Sequence, residues 1–299
     1  MATLNSYFDG FLSNINPDPK MVKRAIKAHE PIREHLATDE EFQDYHLDSF
    51  LYGSYRRHTA VGDIKDVDIV VVTNFDHNKD KPRAVLAKLK RALARYYENP
   101  DLANQRRSIR VDDPLPDDPN CKLTLDIIPA AIVTDENGVL KVPDREDDCW
   151  IDSHPKGHLQ VVNDLNAKEY SGERFVPLVK IMKSWWKYQC GILQPEVERP
   201  HPKGFWVECL TMECFDRHQK TLAEHFVTVL DNVATRYANP SQVPQLNDPA
   251  MVGQCIKTSM TLDEFKFFLK ATDESLKLAR QALAEDDIAE SAKIWGKIF

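Results

Sequence analysis

The sequence lacks any run of about 18 apolar residues, the length that a helix needs to cross a membrane. Its first residues, MATLNSYFDGFLSNI, lack the basic segment and the continuous apolar segment of a secretory signal. It also lacks internal repeats and low-complexity stretches. We therefore expect a folded, soluble, cytoplasmic protein that has no membrane partner.

Closely spaced cysteine pairs are missing as well. The six cysteines include no CxxC, and their spacing indicates neither a zinc site nor a disulfide framework. Their surroundings are mostly apolar, so we expect most of them to be small core residues in a reducing cytosol.

The sequence also lacks an excess of basic residues. Lys and Arg number 39 against 47 Asp and Glu, which gives a net charge of −8. A protein that holds long nucleic acid regardless of sequence needs a basic surface, so we expect no long nucleic acid template. The charge does not exclude small anions bound by a local basic cluster or by metal ions.

What is present is enough apolar material for a large core. Hydrophobic residues make up 42% of the 299 residues, which suits two domains or one large one. In the first half, apolar spacing predicts helices over 3–15, 20–37 and 82–97. It also predicts strands over 46–52, 67–73, 108–111 and 123–128, and a hairpin at Gly138 that joins 131–134 to 139–142. The loop DDPLPDDPN, residues 112–120, is expected at the surface.

The second half reads as helical. Helices are predicted over 158–166, 174–188, 206–215, 220–237, 262–269 and 274–284. Trp185 and Trp186 are expected in the core, and Glu208 in a surface or interdomain ion pair. The change of character places a domain boundary near residue 145.

Two carboxylates stand at the start of an apolar strand in LYGSYRRHTAVGDIKDVDIVVV, residues 51–72. Asp66 and Asp68 are two residues apart, so on a strand they point the same way, about 6.5–7 Å from one another. Like charges at that distance repel unless they are solvated or a cation lies between them. Mg²⁺ takes carboxylate and phosphate oxygens as ligands. The pair therefore indicates either a site for metal-bound phosphates or an exposed strand end.

A third carboxylate, Asp126, interrupts the apolar strand LTLDIIPA, residues 123–130. A lone buried carboxylate costs several kcal/mol unless it is paired or bound to metal, and only Lys122 is an adjacent cation. If this strand lies beside the strand of Asp66, three carboxylates converge, as in two-metal phosphoryl-transfer sites.

A Gly-Ser turn precedes the carboxylate strand. Gly53 and Ser54 offer backbone N–H groups and a hydroxyl to an anion, as phosphate sites do. Taken alone, the same dipeptide is an ordinary turn.

The segments GSYRRHT, DVD and LDIIPA together resemble the DNA-polymerase-β-like nucleotidyltransferase superfamily. PLVKIMKSWW (177–186) and GFWVECL (204–210) are similar to helices of its oligoadenylate-synthetase and cyclic GMP-AMP synthase branch. The tail, from NDPAMVGQC to IWGKIF, resembles bacterial cyclic-oligonucleotide synthases, the CD-NTases. The resemblance implies an α+β fold. A polymerase-β-like nucleotidyltransferase core with a mixed sheet would span 17–145. A helical nucleotide-binding lobe would span 146–299, with helix 3–15 packing on either part.

The resemblance also implies roles for individual residues. Asp66, Asp68 and Asp126 would hold two Mg²⁺ ions, for which Mn²⁺ can substitute, and Asp126 would assist deprotonation of the attacking hydroxyl. Gly53 and Ser54 would hold the β- and γ-phosphates of the donor. Lys183, with Lys180 as the weaker candidate, would contact the triphosphate. One departure is His58, where many members carry a small residue before the Thr of this loop.

The implied activity is condensation of NTPs into a cyclic di- or trinucleotide second messenger, with release of pyrophosphate. The substrates would be ATP, GTP or pyrimidine NTPs, the setting bacterial anti-phage signalling, and a regulatory protein would be a further partner. Two alternatives stay open: transfer of a nucleotide to an antibiotic, protein or tRNA, and a non-catalytic nucleotide-binding scaffold.

Overall fold

The computed structural model describes residues 4–97, 102–112, 123–133, 138–193, 196, 201–256 and 258–299. The chain divides into two compact units. The sheet unit is Pro17–Gln160, and the helical unit combines Met1–Asn16 with Val161–Phe299. Among the described residues, no helix is long and apolar enough to span a bilayer.

The helices, in chain order, are α1 Asn5–Ile15, α2 Pro19–Thr38, α3 Gly53–Arg56, α4 Pro82–Tyr96, α5 Pro155–Asn166, α6 Lys168–Ser171, α7 Phe175–Leu193, α8 Gly204–Cys214, α9 Leu222–Arg236, α10 Leu262–Ala284 and α11 Ile288–Trp295. The division between the units falls within α5. Side chains one turn apart place an apolar stripe on one face of each long helix. In α4 this stripe is Leu86, Leu89 and Leu93, all fully buried.

The strands are β1 His46–Tyr52, β2 Asp66–Thr73, β3 Leu102–Asn104, β4 Ile109–Asp112, β5 Thr124–Ile132, β6 Leu140–Asp144 and β7 Cys149–Ser153. They form one sheet in the order β1-β2-β5-β4-β3, and β6 pairs with both β5 and β7. Strands β2 and β5 are parallel, whereas the other pairs are antiparallel. The mixed sheet agrees with the predicted fold class.

The core of the sheet unit lies against β2. Its Val/Ile run is buried on both faces, as an unbroken apolar strand predicts. Ile69 and Val71 pack with Leu86 of α4 and Ile32 of α2, while Val70 belongs to a separate cluster on the other face.

The helical unit has a separate core rich in aromatic rings. Trp185 and Trp186 are buried in it, which confirms their predicted place. The indole N–H of Trp185 donates a hydrogen bond to Ser275 Oγ at 2.9 Å, so its polar atom is satisfied inside the core. Phe8 of α1 contacts Trp295 of α11, and both lie in this unit.

Most predicted elements are confirmed, including β1, β2, α2, α4 and the pairing of β5 with β6 beside Gly138. The predicted loop 112–120 lies outside the described residues apart from Asp112. Three of the five described cysteines, Cys190, Cys209 and Cys214, are buried, whereas Cys149 and Cys255 are exposed.

The structure departs from the sequence analysis in three ways. The two helices predicted over 262–269 and 274–284 form the single helix α10, in which the Thr272 hydroxyl donates to the Phe268 carbonyl at 2.9 Å. The structure also contains four short elements that the apolar pattern of the sequence does not predict, namely β3, β7, α6 and α11. The boundary near 145 lies before the observed division, because β7 pairs with β6 and extends the sheet.

Candidate active site

The three carboxylates lie on two neighbouring parallel strands. Asp66 and Asp68 belong to β2, and Asp126 belongs to β5. The register pairs Asp68 directly with Asp126 and Asp66 with Thr124. In-register residues of parallel strands point to the same face of the sheet, so the three acids share one face. The strand of Asp126 therefore lies beside the strand of Asp66 and Asp68, which the sequence analysis left as a condition.

The charge of Asp68 is poorly compensated. Burial, followed by the negative charges of Asp126 and Asp66, raises the pKa of the Asp68 carboxyl to about 6. The positive charges of Arg57 and Arg110 act in the opposite direction and are outweighed. A cation at this place would stabilise the ionised form of the cluster.

Gly53 lies directly against Asp68. Its φ is +71°, and a Cβ built on it would lie 1.8 Å from Asp68 Oδ2. Both the backbone conformation and the close approach therefore require glycine here. The Gly53-Ser54 dipeptide begins the one-turn helix α3, and the Thr59 N–H, just beyond that helix, donates to the Ser54 carbonyl at 2.9 Å.

Asp126 has a cationic partner that sequence analysis missed. Arg110 of β4 donates from Nη2 to Asp126 Oδ2 at 2.7 Å, and Ser108 Oγ donates to Oδ1 at 3.1 Å. The antiparallel register places Arg110 opposite Asp126. Lys122, the only cation adjacent in sequence, lies outside the described residues. Only the strand order could have revealed the partner, because Arg110 is distant along the chain.

The basic residues of the loop after Gly53 have different surroundings. Arg57 is buried, and its guanidinium lies 5.5 Å from the centre of the Tyr52 ring. Arg56 is exposed. His58 is exposed as well, and its φ is +58°, a left-handed conformation that the small residue common in this loop adopts at lower cost.

The predicted phosphate-binding lysines lie on α7 and already have partners. Lys183 Nζ donates to Glu208 Oε2 at 2.7 Å, and Lys180 Nζ donates to Asn16 Oδ1 at 2.8 Å. Glu208 is fully buried, so its predicted place in a surface or interdomain pair is wrong. The pKa of Lys180 is lowered, first by burial and then by the positive charge of Lys183.

The carboxylate cluster fits divalent cations in charge and in chemistry. Hard ions such as Mg²⁺ prefer carboxylate oxygens, and the raised pKa of Asp68 reflects first its burial and then uncompensated negative charge. The present side-chain arrangement is nevertheless not that of a loaded site. Asp66 accepts from Thr124 Oγ1 at 2.6 Å while Asp126 faces Arg110. Within the described ranges, no three His, Cys, Asp or Glu side chains are grouped so that they could hold a metal ion.

Comparison with known proteins identifies the family. Residues 1–166 match the Second Messenger Oligonucleotide or Dinucleotide Synthetase domain. The chain belongs to this family. It is 32% identical over 310 residues to a cyclic AMP-AMP-AMP synthase of Acinetobacter sp., with 100% of this chain and 84% of that protein covered. It is 24% identical over 352 residues to a cyclic AMP-AMP-GMP synthase of Enterobacter hormaechei, with 99% and 91% covered.

Solved structures show the same fold. The CdnC:HORMA-deltaN complex of E. coli MS115-1 has a TM-score of 0.73 at 14% identity, covering 99% of this chain and 97% of that one. The apo form of Vibrio cholerae DncV has a TM-score of 0.67 at 14% identity, covering 98% and 94%. The predicted CD-NTase family and polymerase-β-like fold are thus confirmed.

Membership establishes the class of enzyme. This synthetase is a nucleotidyltransferase that condenses NTPs into a cyclic di- or trinucleotide second messenger with release of pyrophosphate. Enzymes of this type generally need divalent metal ions. The alternatives of another acceptor and of a non-catalytic scaffold receive no support from these relatives.

Proposed function

We propose that the product of this synthetase is a cyclic trinucleotide with adenosine in at least two positions, made from ATP as the main substrate. The proposal is supported by the relatives that cover almost the whole chain, which are named as synthases of cyclic AMP-AMP-AMP and cyclic AMP-AMP-GMP. The setting that we propose is bacterial anti-phage signalling in the cytoplasm.

The catalytic assignment rests on one observation, the in-register pairing of Asp68 with Asp126 beside Asp66. We assign these carboxylates to two Mg²⁺ ions, for which Mn²⁺ can substitute. When bound, such ions supply Lewis-acid activation of the attacking hydroxyl and charge stabilisation of the triphosphate. Release of Asp126 from Arg110 would make its oxygens available to a cation.

The reaction is displacement at the α-phosphorus of the donor NTP. A bond forms between the ribose hydroxyl oxygen of the acceptor and that phosphorus, and the bond to the bridging oxygen of the β-phosphate breaks. Pyrophosphate leaves with the bonding electron pair, and the hydroxyl proton passes to a carboxylate, for which Asp126 is the candidate. Gly53 and Ser54 would hold the β- and γ-phosphates through backbone N–H groups and the Ser54 hydroxyl.

Lys183 and Lys180 are proposed as triphosphate contacts. This assignment rests on the resemblance of α7, and both lysines also have the protein partners described above. A regulatory protein partner is also part of the proposal. One similar structure is a complex of CdnC with HORMA-deltaN.

Mass spectrometry of the product formed from mixed NTPs with Mg²⁺ tests the function. We expect a cyclic trinucleotide without any added acceptor. A product formed only when an antibiotic, protein or tRNA is supplied would overturn the proposal.

Asp68→Ala tests the site. Loss of a carboxylate that holds a cation should lower pyrophosphate release by roughly 10³-fold or more, equivalent to about 4 kcal/mol of barrier. Asp63→Ala, at an exposed position just before the strand, is the matched control and should retain activity. Unchanged pyrophosphate release by the Asp68→Ala protein would refute the assignment.

A further inference from the structure

A concave pocket of about 730 Å³ lies in the sheet unit, lined by residues of α4, β3 and the segment after β6. It shares no lining residue with the carboxylate cluster. Its volume is within the roughly 300–1,000 Å³ range of small-molecule sites. Four of the lining side chains are cationic, namely Arg83, Lys90, Arg91 and Arg145.

The helical period of α4 explains why its cations stand together. Arg83 lies two turns before the adjacent pair Lys90 and Arg91, so the three share a face of the helix. Leu86, Leu89 and Leu93 face the core instead. Ala87 and Ala94 lie on the cationic face too, and their small exposed side chains leave the space open.

The positive charge of the pocket is poorly balanced. Glu146 is the acidic residue of its lining, and that carboxylate lies 3.3 Å from Arg106 outside the pocket. Arg83 has a weak exposed pair with Asp148 at 4.0 Å. Over the residues that the structure describes, Lys90, Arg91 and Arg145 form no ion pair. A cationic cluster of this kind stands out in a chain whose net charge is −8.

Arg145 adds a second indication. Arg83 Nε donates to the Arg145 carbonyl at 2.9 Å, which holds the two arginines side by side. Arg145 Nε is buried and has no hydrogen-bond partner in the described part of the chain. Burial and the charge of Arg83 lower the pKa of Arg145. Like charges held together with an unsatisfied donor are stabilised by an anion that accepts from both.

We propose that this pocket binds a small molecule that carries two or more phosphate groups. Arginine forks recognise phosphate oxygens with paired hydrogen bonds, and Lys90 adds a point charge. The amide of Asn104, also in the lining, can bond a ring edge of the same ligand. Inorganic pyrophosphate, an NTP and the cyclic product all share this phosphate chemistry.

The test measures binding by titration calorimetry on the full chain with a chelator present, so that divalent cations do not contribute. Wild type is titrated with inorganic pyrophosphate, ATP and purified cyclic product in separate arms, which identifies the source of the ligand. The variant Lys90→Glu/Arg91→Glu reverses the charge of the pocket. Lys23→Glu/Lys27→Glu, which makes the same charge change at exposed positions of α2, is the matched control.

We expect at least one arm to bind wild type and the control equally, and the pocket variant at least tenfold more weakly. The milder Arg91→Gln should weaken the same arm several-fold, which guards against misfolding of the double variant. Absence of binding in every arm, or equal binding by the pocket variant and wild type, would overturn the proposal. So would a clear preference of the pocket for a short duplex RNA or DNA over all three small ligands.

Discussion

Gly53 stands where any side chain would displace the carboxylate of Asp68. Its φ of +71° is left-handed, and a Cβ added there would lie only 1.8 Å from Asp68 Oδ2, so there is no room for one. Gly62 has nearly the same φ, +70°, but its Cβ would meet nothing within 4 Å. A comparison of the two glycines therefore separates the effect of backbone strain, which both share, from the effect of the contact with Asp68, which only Gly53 has.

The first residue-scale prediction compares these glycines. Gly53→Ala and Gly62→Ala should each lose about 1 kcal/mol of stability from the strained φ. Only Gly53→Ala should also displace Asp68 and lower pyrophosphate release by roughly 10²-fold or more. Thermal unfolding and pyrophosphate release measure the two effects. Equal activity of the two variants would show that the contact with Asp68 is not needed.

Asp68 also gives a prediction for pH. Its pKa in the folded chain, about 6, is above the usual 3.8, so the folded state binds the proton more tightly than the unfolded state. Ionisation of Asp68 therefore costs stability as the pH rises from about 4 to 6, and the cost is complete above about 7. Asp68→Asn should stabilise the metal-free protein by roughly 1–2 kcal/mol at about pH 7.5, after allowance for solvent screening.

The gain should shrink to a small fraction near pH 4, where the carboxyl is almost fully protonated in the folded state and close to its midpoint in the unfolded state. Urea unfolding with a chelator at the two pH values measures it. Asp66→Asn, at an exposed carboxylate, is the control and should change stability less. A gain that is the same at both pH values would contradict the assigned cause.

At the scale of elements, helices α7 and α8 are joined by a buried ion pair. Glu208 has no exposed surface, and Lys183 reaches it at 2.7 Å. Removal of one partner leaves the other charge buried, whereas removal of both does not. Lys183, which we propose as a triphosphate contact, is in this way held in place by a buried carboxylate.

We therefore predict that Glu208→Gln lowers the free energy of unfolding by about 3 kcal/mol. The double variant Lys183→Met/Glu208→Met should regain most of this stability. If Lys183 contacts the triphosphate, the double variant should still show a raised KM for the NTP. Asp231→Asn, which breaks the exposed pair with Arg280, should cost less than about 1 kcal/mol and serves as the control. Full activity of the stable double variant would show that Lys183 does not contact the triphosphate.

The agreement between predicted and observed elements follows the strength of the periodic signal. Strand β2 is clear in the sequence because an unbroken run of valine and isoleucine, closed by Thr73, follows Asp68. Strand β3 has three residues, too few for alternation to show, and it exists because it pairs with β4. Helix α10 reads as two helices because of a polar stretch whose Thr272 is in fact buried within the helix.

At the scale of the whole molecule, the two units have separate cores. Each also contains a titratable group whose pKa is shifted by burial, and protonation of the two groups changes stability in opposite directions. The sheet unit contains Asp68, whose protonation removes a charge that burial disfavours and its repulsion with Asp126 and Asp66. The helical unit contains His225, which is stacked on Phe215. Burial, and then the charge of Arg174, lower the pKa of His225 to about 4. Asp216 and Glu224 act in the opposite direction and are outweighed.

The prediction at this scale concerns the loss of stability at acid pH that His225 causes. The unfolded state protonates His225 near pH 6.5 but the folded state only near 4, so stability falls as the pH decreases through this range. His225→Phe should reduce the loss of stability of the helical unit between about pH 7 and pH 5. Denaturant unfolding at both pH values measures the difference. The exposed His218→Gln should behave as wild type, and an equal loss in the His225→Phe protein would rule out His225 as the cause.

Local pattern by itself determined the type of most elements, the apolar strand that follows Asp66 and Asp68, and the family. These features depend on residues that are close in the chain, where periodicity and short motifs are legible. Only the tertiary structure decided that Arg110 faces Asp126, that Glu208 is a buried partner of Lys183, and that Arg145 joins the cations of α4 at one pocket. Each of these contacts joins residues far apart in sequence, and strand order and helix packing, which no local pattern encodes, bring them together.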